Sequence, residues 1–225
     1  MVVLNIILSA AISVMCVVYA HVGGLMLKAL TSSIFALLAG INFGYVVSKK
    51  LPDRKYATMI FIGHLISLCA DVVINIEFIP GAAIFSVAHV FYFIALCTLR
   101  KFRPGDLFCI GGILIFSCVI VLLPVFDYGS LLMMIVCLVY ALIISCMLGK
   151  SIANAVAVRT FLMIFIAAGS FLFFFSDFML LIEIFGGGGP LIDDICLYTY
   201  FPAQAILALS VFLNVRLRKS QNSET

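Results

Sequence analysis

Apolar runs of about twenty residues, each long enough to cross a bilayer as a helix, recur eight times along this chain. They lie near 2–20, 22–47, 56–77, 80–99, 106–124, 129–149, 159–182 and 190–214. Between them stand His21-Val22-Gly23-Gly24, Lys49 to Lys55, Ile79-Pro80-Gly81, Arg100 to Gly105, Pro124 to Gly129, Lys150 to Arg159, and Gly186 to Pro190. Only 10% of the 225 residues are charged, against about 25% in a soluble domain. With 65% hydrophobic residues there is too little polar surface to cover a water-soluble globule. The expected fold is all-α: one polytopic membrane domain of eight transmembrane helices. The first run lacks a charged leading segment and a small-x-small cleavage pattern, so it reads as a retained span.

The charges test that count. Lys49, Lys50, Arg54 and Lys55 follow the second run, and Arg100, Lys101 and Arg103 the fourth. Lys150 and Arg159 flank the break after the sixth, and Arg216, Arg218 and Lys219 follow the eighth. Every Lys and Arg except Lys28 therefore falls on one side, which the positive-inside rule makes cytoplasmic, with both termini there. Glu77, Asp127, Glu183, Asp193 and Asp194 gather at the opposite ends. The membrane is the cytoplasmic one in a bacterium, or the endoplasmic reticulum or another endomembrane in a eukaryote. No basic stripe on a soluble fold exists to bind nucleic acid. The eight cysteines sit in or beside apolar runs without a CxxC pair and read as small buried hydrophobes.

The chain also repeats itself. A shift of 106 residues lays Ile60 on Ile166, Gly63 on Gly169, Asp71 on Asp177 and Glu77 on Glu183. Gly81 then falls on Gly187 and Tyr92 on Tyr198. The offset spans four runs, an even number, so the halves (about 1–104 and 105–219, with 220–225 as a flexible tail) form a parallel repeat.

An aspartate inside a span costs about 2.5–3.5 kcal/mol on insertion scales. The chain bears that cost at both Asp71 and Asp177. At 1.5 Å rise per residue each lies roughly 9 Å below Glu77 or Glu183, in the outer half of the bilayer. Lys28 lies at a similar depth, His89 somewhat deeper, and Tyr198, Tyr200 and Gln204 comparably deep or deeper. His64, Ser67, Asp71 and Asn75 share one helix stripe, and His89 and Tyr92 another. Such faces should turn inward and line a cavity open toward the outer side. Structural roles compete: Lys28 could simply pair with an Asp, and His89 could be a satisfied core histidine. Phenylalanines 171 and 173–175 read as lipid-facing or packing surface. The run Gly186-Gly187-Gly188-Gly189 lacks a following GK[ST] and reads as a loop, and no HExxH or Cys/His cluster stands ready for a metal.

Taken in order, Lys28, Asp71, His89-x-x-Tyr92, Tyr140, Gly169, Ser176-Asp177 and Tyr200-x3-Gln204 resemble the lysoplasmalogenase (YhhN-type) family of eight-span membrane proteins. The resemblance covers nearly the whole chain; Ala70 stands where the family pattern usually has glycine. It implies hydrolysis of the vinyl ether of a lysoplasmalogen, a lysophospholipid, to a fatty aldehyde and a glycerophospho-alcohol, with no cofactor or metal. That chemistry begins with protonation of an alkene carbon and passes through an oxocarbenium ion, the kind of cation that glycosidases meet with two carboxylates. Asp71 and Asp177 are the expected acid/base pair. Lys28 either neutralises a carboxylate or binds the substrate phosphate. His89, Tyr92, Tyr140, Tyr200 and Gln204 are the expected substrate-binding or water-orienting groups. A membrane transporter or lipid-binding protein using the same cluster is the contrasting class, and a hydrolase of a related ether or ester lysolipid a third.

Overall fold

The computed structural model describes residues 1–223, with side chains to residue 218. Among these the chain forms eight α-helices and no strand: α1 (Val2–Val22), α2 (Leu25–Ser48), α3 (Arg54–Val73), α4 (Phe78–Leu99), α5 (Asp106–Val121), α6 (Leu131–Val158), α7 (Phe161–Phe185) and α8 (Pro190–Ser223). In hydrocarbon every backbone N–H and C=O must be satisfied within the segment, which makes helices the outcome for uniformly apolar runs. Seven are long and apolar enough to cross a membrane, which marks an integral membrane protein. The exception is α5, whose 16 residues span about 24 Å. It stops at Val121, short of Leu122, Leu123 and Pro124, which the apolar run had included.

Backbone chemistry sets the breaks. Gly23 and Gly24 take φ of 70° and 94°, which separates α1 from α2 at no steric cost. Ser130 caps α6 by accepting from the Met133 N–H at 3.2 Å. Two boundaries differ from the sequence reading. Helix α6 runs through the expected break at Lys150 and ends only at Arg159, in the left-handed region. Helix α8 continues past 219, where a flexible tail was expected, as far as Ser223; residues 224–225 lie outside the described ones.

Six helices close into a ring by successive contacts: α2–α3, α3–α4, α4–α6, α6–α7, α7–α8 and α8–α2. Helix α1 packs outside against α2 and α8, while α5 leans on α6 alone. The main core lies inside the ring, where Phe35, Ile60, Tyr92, Phe173, Phe201 and Leu207 are buried.

At the basic end of the bundle an ionic clasp joins α4, α5 and α6. Lys150, wholly buried, donates to Asp106 at 2.6 Å and to the Lys101 carbonyl at 3.3 Å. Arg100 pairs with the other Asp106 oxygen and donates to Asn154 Oδ1 at 2.8 Å. Phe102 covers the ammonium at 5.6 Å. Gly149 permits this closeness, since a Cβ there would meet Ile110 Cα at 2.5 Å. Lys150 is thus no loop charge but the centre of a buried cluster. Removing one member of such a set strands the others, at a cost of about 3–5 kcal/mol. Asp106→Asn should therefore lower the thermal unfolding midpoint of the detergent-solubilised protein clearly, whereas Asp127→Asn, exposed at the acidic end, should leave it unchanged.

Candidate active site

The ring brings the two intramembrane aspartates to one level but gives each its own nest. Asp71, on α3, is 1% exposed. Its Oδ2 accepts from Ser32 Oγ on α2 at 2.6 Å and from the Tyr200 hydroxyl on α8 at 2.8 Å. Tyr200 in turn accepts from Gln204 Nε2 at 3.1 Å, and Gln204 Oε1 accepts from the Tyr92 hydroxyl at 3.0 Å. With Tyr92 so committed, the 3.1 Å contact to Ser67 is donated by the serine. A one-way chain of hydrogen bonds therefore runs through four helices and ends on the Asp71 carboxylate. Gly63 makes room for it: a Cβ there would lie 2.4 Å from Tyr92 Cε1.

Asp177, on α7, sits in the second nest with its side chain 14% exposed. Oδ2 accepts from the Tyr140 hydroxyl on α6 at 2.8 Å, and His89 Nε2 on α4 stands 3.3 Å away. His89 Nε2 also lies 2.9 Å from the Tyr140 oxygen. Since the Tyr140 proton goes to Asp177, His89 Nε2 is the donor in that contact. Its Nδ1 rests 3.2 Å from Met147 Sδ, a weak acceptor. The nests match helix for helix: the preceding helix supplies a hydroxyl, and the fourth helix of the other half supplies a second group.

Phe173 separates the nests. It is wholly buried, with ring centroids 4.6 Å from His89, 5.3 Å from Tyr200 and 6.1 Å from Tyr92. One turn from Asp177, it is an internal partition, while Phe171 is 53% exposed and faces outward. The run Phe173-Phe174-Phe175-Ser176-Asp177 thus mixes lipid-facing surface with site wall. The aspartates lie near enough for their charges to interact, but they share no hydrogen-bond partner.

A cavity in the outer half of the bundle reaches only one of them. Asp177 and Tyr140 line it, among apolar walls that include Phe85, Ile120, Ile144 and Leu181. Asp71, Tyr92, Tyr200 and Gln204 lie behind that wall and do not line it. The expectation of two carboxyls in one wet pocket differs from this arrangement, because Phe173 and Phe85 fill the space between them. Lys28 is half-buried near the acidic end and forms no ion pair within 4.0 Å among the described residues. Its charge is felt by Asp71, Glu183 and Asp193. His64 is spent on the backbone, with its ring nitrogens 2.8 Å from the Ile60 carbonyl and 3.0 Å from that of Gln204. Ser32 was missed as an Asp71 ligand; its place one turn after Lys28 was the available signal.

These observations define a class: a polytopic helical membrane protein with ionisable groups assembled in its hydrocarbon-embedded core. A family model, the YhhN family, matches residues 23–211, and the chain belongs to that family. No curated protein and no solved structure matches it.

Two outcomes follow from the contacts. Tyr140→Phe removes a hydrogen bond to a charged acceptor, worth about 1.5–3 kcal/mol, and should lower turnover by about tenfold to a hundredfold without loss of folding. Gly63→Ala must push Tyr92 off Gln204, so a lowered unfolding midpoint together with lost turnover is expected.

Proposed function

We propose that the chain is a membrane hydrolase that cleaves the vinyl ether bond of lysoplasmalogens by acid/base catalysis with its two intramembrane aspartates. The observation that carries this reading is Asp177, a carboxyl braced by Tyr140 and His89 on the wall of an otherwise apolar cavity. Family membership supports it.

In the proposed reaction Asp177, as the acid, gives its proton to the alkene carbon remote from the ether oxygen. The π pair forms the new C–H bond, and the carbon attached to oxygen becomes an oxocarbenium ion. The resulting carboxylate, fixed by the Tyr140 hydroxyl, faces that cation without having to reorganise. Asp71 adds a second negative charge behind the Phe173 partition. Water then adds to the cationic carbon and returns a proton to the Asp177–His89 pair. The hemiacetal collapses to a fatty aldehyde as the glycerol oxygen takes up a proton. Lys28, free of a close carboxylate partner at the acidic end, binds the substrate phosphate. Ser32, Tyr200, Gln204 and Tyr92 act through Asp71 by holding its position.

Purified protein supplied with a lysoplasmenyl lipid in deuterated water should release aldehyde bearing one deuterium on the carbon next to the carbonyl. Asp177→Asn should cut turnover by about 100-fold or more, the scale of a lost general acid. Lys28→Ala should mainly raise KM, as loss of a ground-state phosphate contact does. Uptake of the lipid into liposomes without chemical conversion would instead point to a transporter, and turnover of alkyl-ether or ester lysolipids alone would move the assignment to that substrate class.

A further inference from the structure

The helix neighbours of the two halves correspond except in one place. Helix α1 touches α8, and the seam is filled: Cys16 Sγ lies 3.6 Å from the Leu197 carbonyl, and the Tyr19 and Phe201 rings are 6.3 Å apart. The corresponding pair in chain order is α5 and α4, and their Cα atoms nowhere come within 8 Å. The cavity beside Asp177 lies where that contact is missing, with Phe78, Ala82 and Phe85 of α4 on one wall and Ser117, Ile120 and Val121 of α5 on another.

Its other boundaries are closed. Toward the acidic end Phe185 is flanked by Phe78 at 5.3 Å and Tyr128 at 4.9 Å, and Phe126 lies 6.1 Å from Tyr128. This roof is pinned to the surrounding helices: the Tyr128 hydroxyl donates to the Val121 carbonyl at 2.7 Å, and the Asp127 N–H to the Phe185 carbonyl at 2.8 Å. Toward the basic end the clasp of Arg100, Asp106 and Lys150 draws α4, α5 and α6 together. On the α7 side the Phe116 and Phe174 rings bridge toward α5 at 6.5 Å. The remaining opening is lateral, between α4 and α5, at the level of the hydrocarbon.

We propose that this cavity is a binding site for one hydrocarbon chain of a membrane lipid, entered sideways from the bilayer between α4 and α5. Asp177 lies in its wall, so a bound chain is presented to that carboxyl by its polar end. A chain leaving the bilayer gains no hydrophobic free energy, because its surroundings are apolar before and after. Selection therefore rests on shape and on the polar contacts at Asp177 and Tyr140. Ser117 adds none, since its hydroxyl is bonded to the Ile113 carbonyl at 2.8 Å. The identity of the reacting bond rests on the vinyl ether reading; the binding of a chain does not.

The protein has no tryptophan, so a single substitution supplies a unique fluorophore. Phe178→Trp places it on the cavity wall, and Phe174→Trp is a second choice toward the deeper end. Phe108→Trp on the outside of α5, 86% exposed, is the control. The probe is lysophosphatidylethanolamine with bromine atoms on its chain, added to protein in detergent. Saturable quenching at the cavity positions, reversed by the unbrominated lysolipid and weaker with a brominated diacyl lipid, is expected; Phe108→Trp should show only linear, unsaturable quenching. Linear quenching at all three positions, or none at both cavity positions, overturns the proposal. Ala82→Phe, which narrows the α4 wall, should lower hydrolysis of a long-chain vinyl ether by about tenfold or more while sparing a short soluble one. Saturable quenching without any hydrolysis would sink the vinyl ether reading and keep the chain site; hydrolysis without saturable quenching would do the reverse.

Discussion

A carboxylate placed in hydrocarbon must be met by donors, and that requirement organises this molecule. Asp71 is met from α2 and α8, and Asp177 from α6 with His89 of α4 beside it. Each set crosses from one half of the chain to the other, so the halves interlock through their acids rather than through apolar packing alone. Apolar surfaces in lipid associate without a hydrophobic driving force; shape and polar contacts decide which helices meet. The same holds at the basic end, where Asp106 receives Lys150 and Arg100. Three carboxylates, each with donors from other segments, account for much of why these helices have these neighbours.

Matched positions do not imply matched surroundings. Asp71 ends a closed chain of hydrogen bonds and is sealed, whereas Asp177 has fewer partners and faces a cavity. The difference arises in the outer helices: α1 closes against α8, and α5, shorter and resting on α6 alone, leaves a gap beside α4. Phe173 then keeps the two nests apart while allowing their charges to interact. In the proposed chemistry such division is useful, because one carboxyl must exchange protons while the other holds its charge.

Several features were legible because they depend on composition along one dimension. Apolar length identified the helices, and the distribution of Lys and Arg set their alternation. The equal spacing of Asp71 and Asp177 from Glu77 and Glu183 put the two acids at one level. Lys150 was misread because a charge at the end of an apolar run looks the same whether it faces water or a buried aspartate. The end of α5 was overextended since Leu122 and Leu123 are as apolar in a turn as in a helix. Ser32 and Phe173 carried no distinguishing pattern at all.

By itself the sequence determined that the chain lives in a membrane, how many helices it makes, which end of each carries the basic residues, and which ionisable groups are carried into the hydrocarbon. These follow from transfer free energies, which each segment has independently of its neighbours. Only the tertiary structure decided which groups face one another: that Tyr140 and His89 go to Asp177 and Ser32 and Tyr200 to Asp71, that a phenylalanine stands between them, and that one acid meets a cavity while the other does not. Helix rotation and the order of helices around the ring settle those facts. Both depend on packing between residues as many as 129 positions apart, as Tyr200 and Asp71 are, a separation that no local pattern encodes.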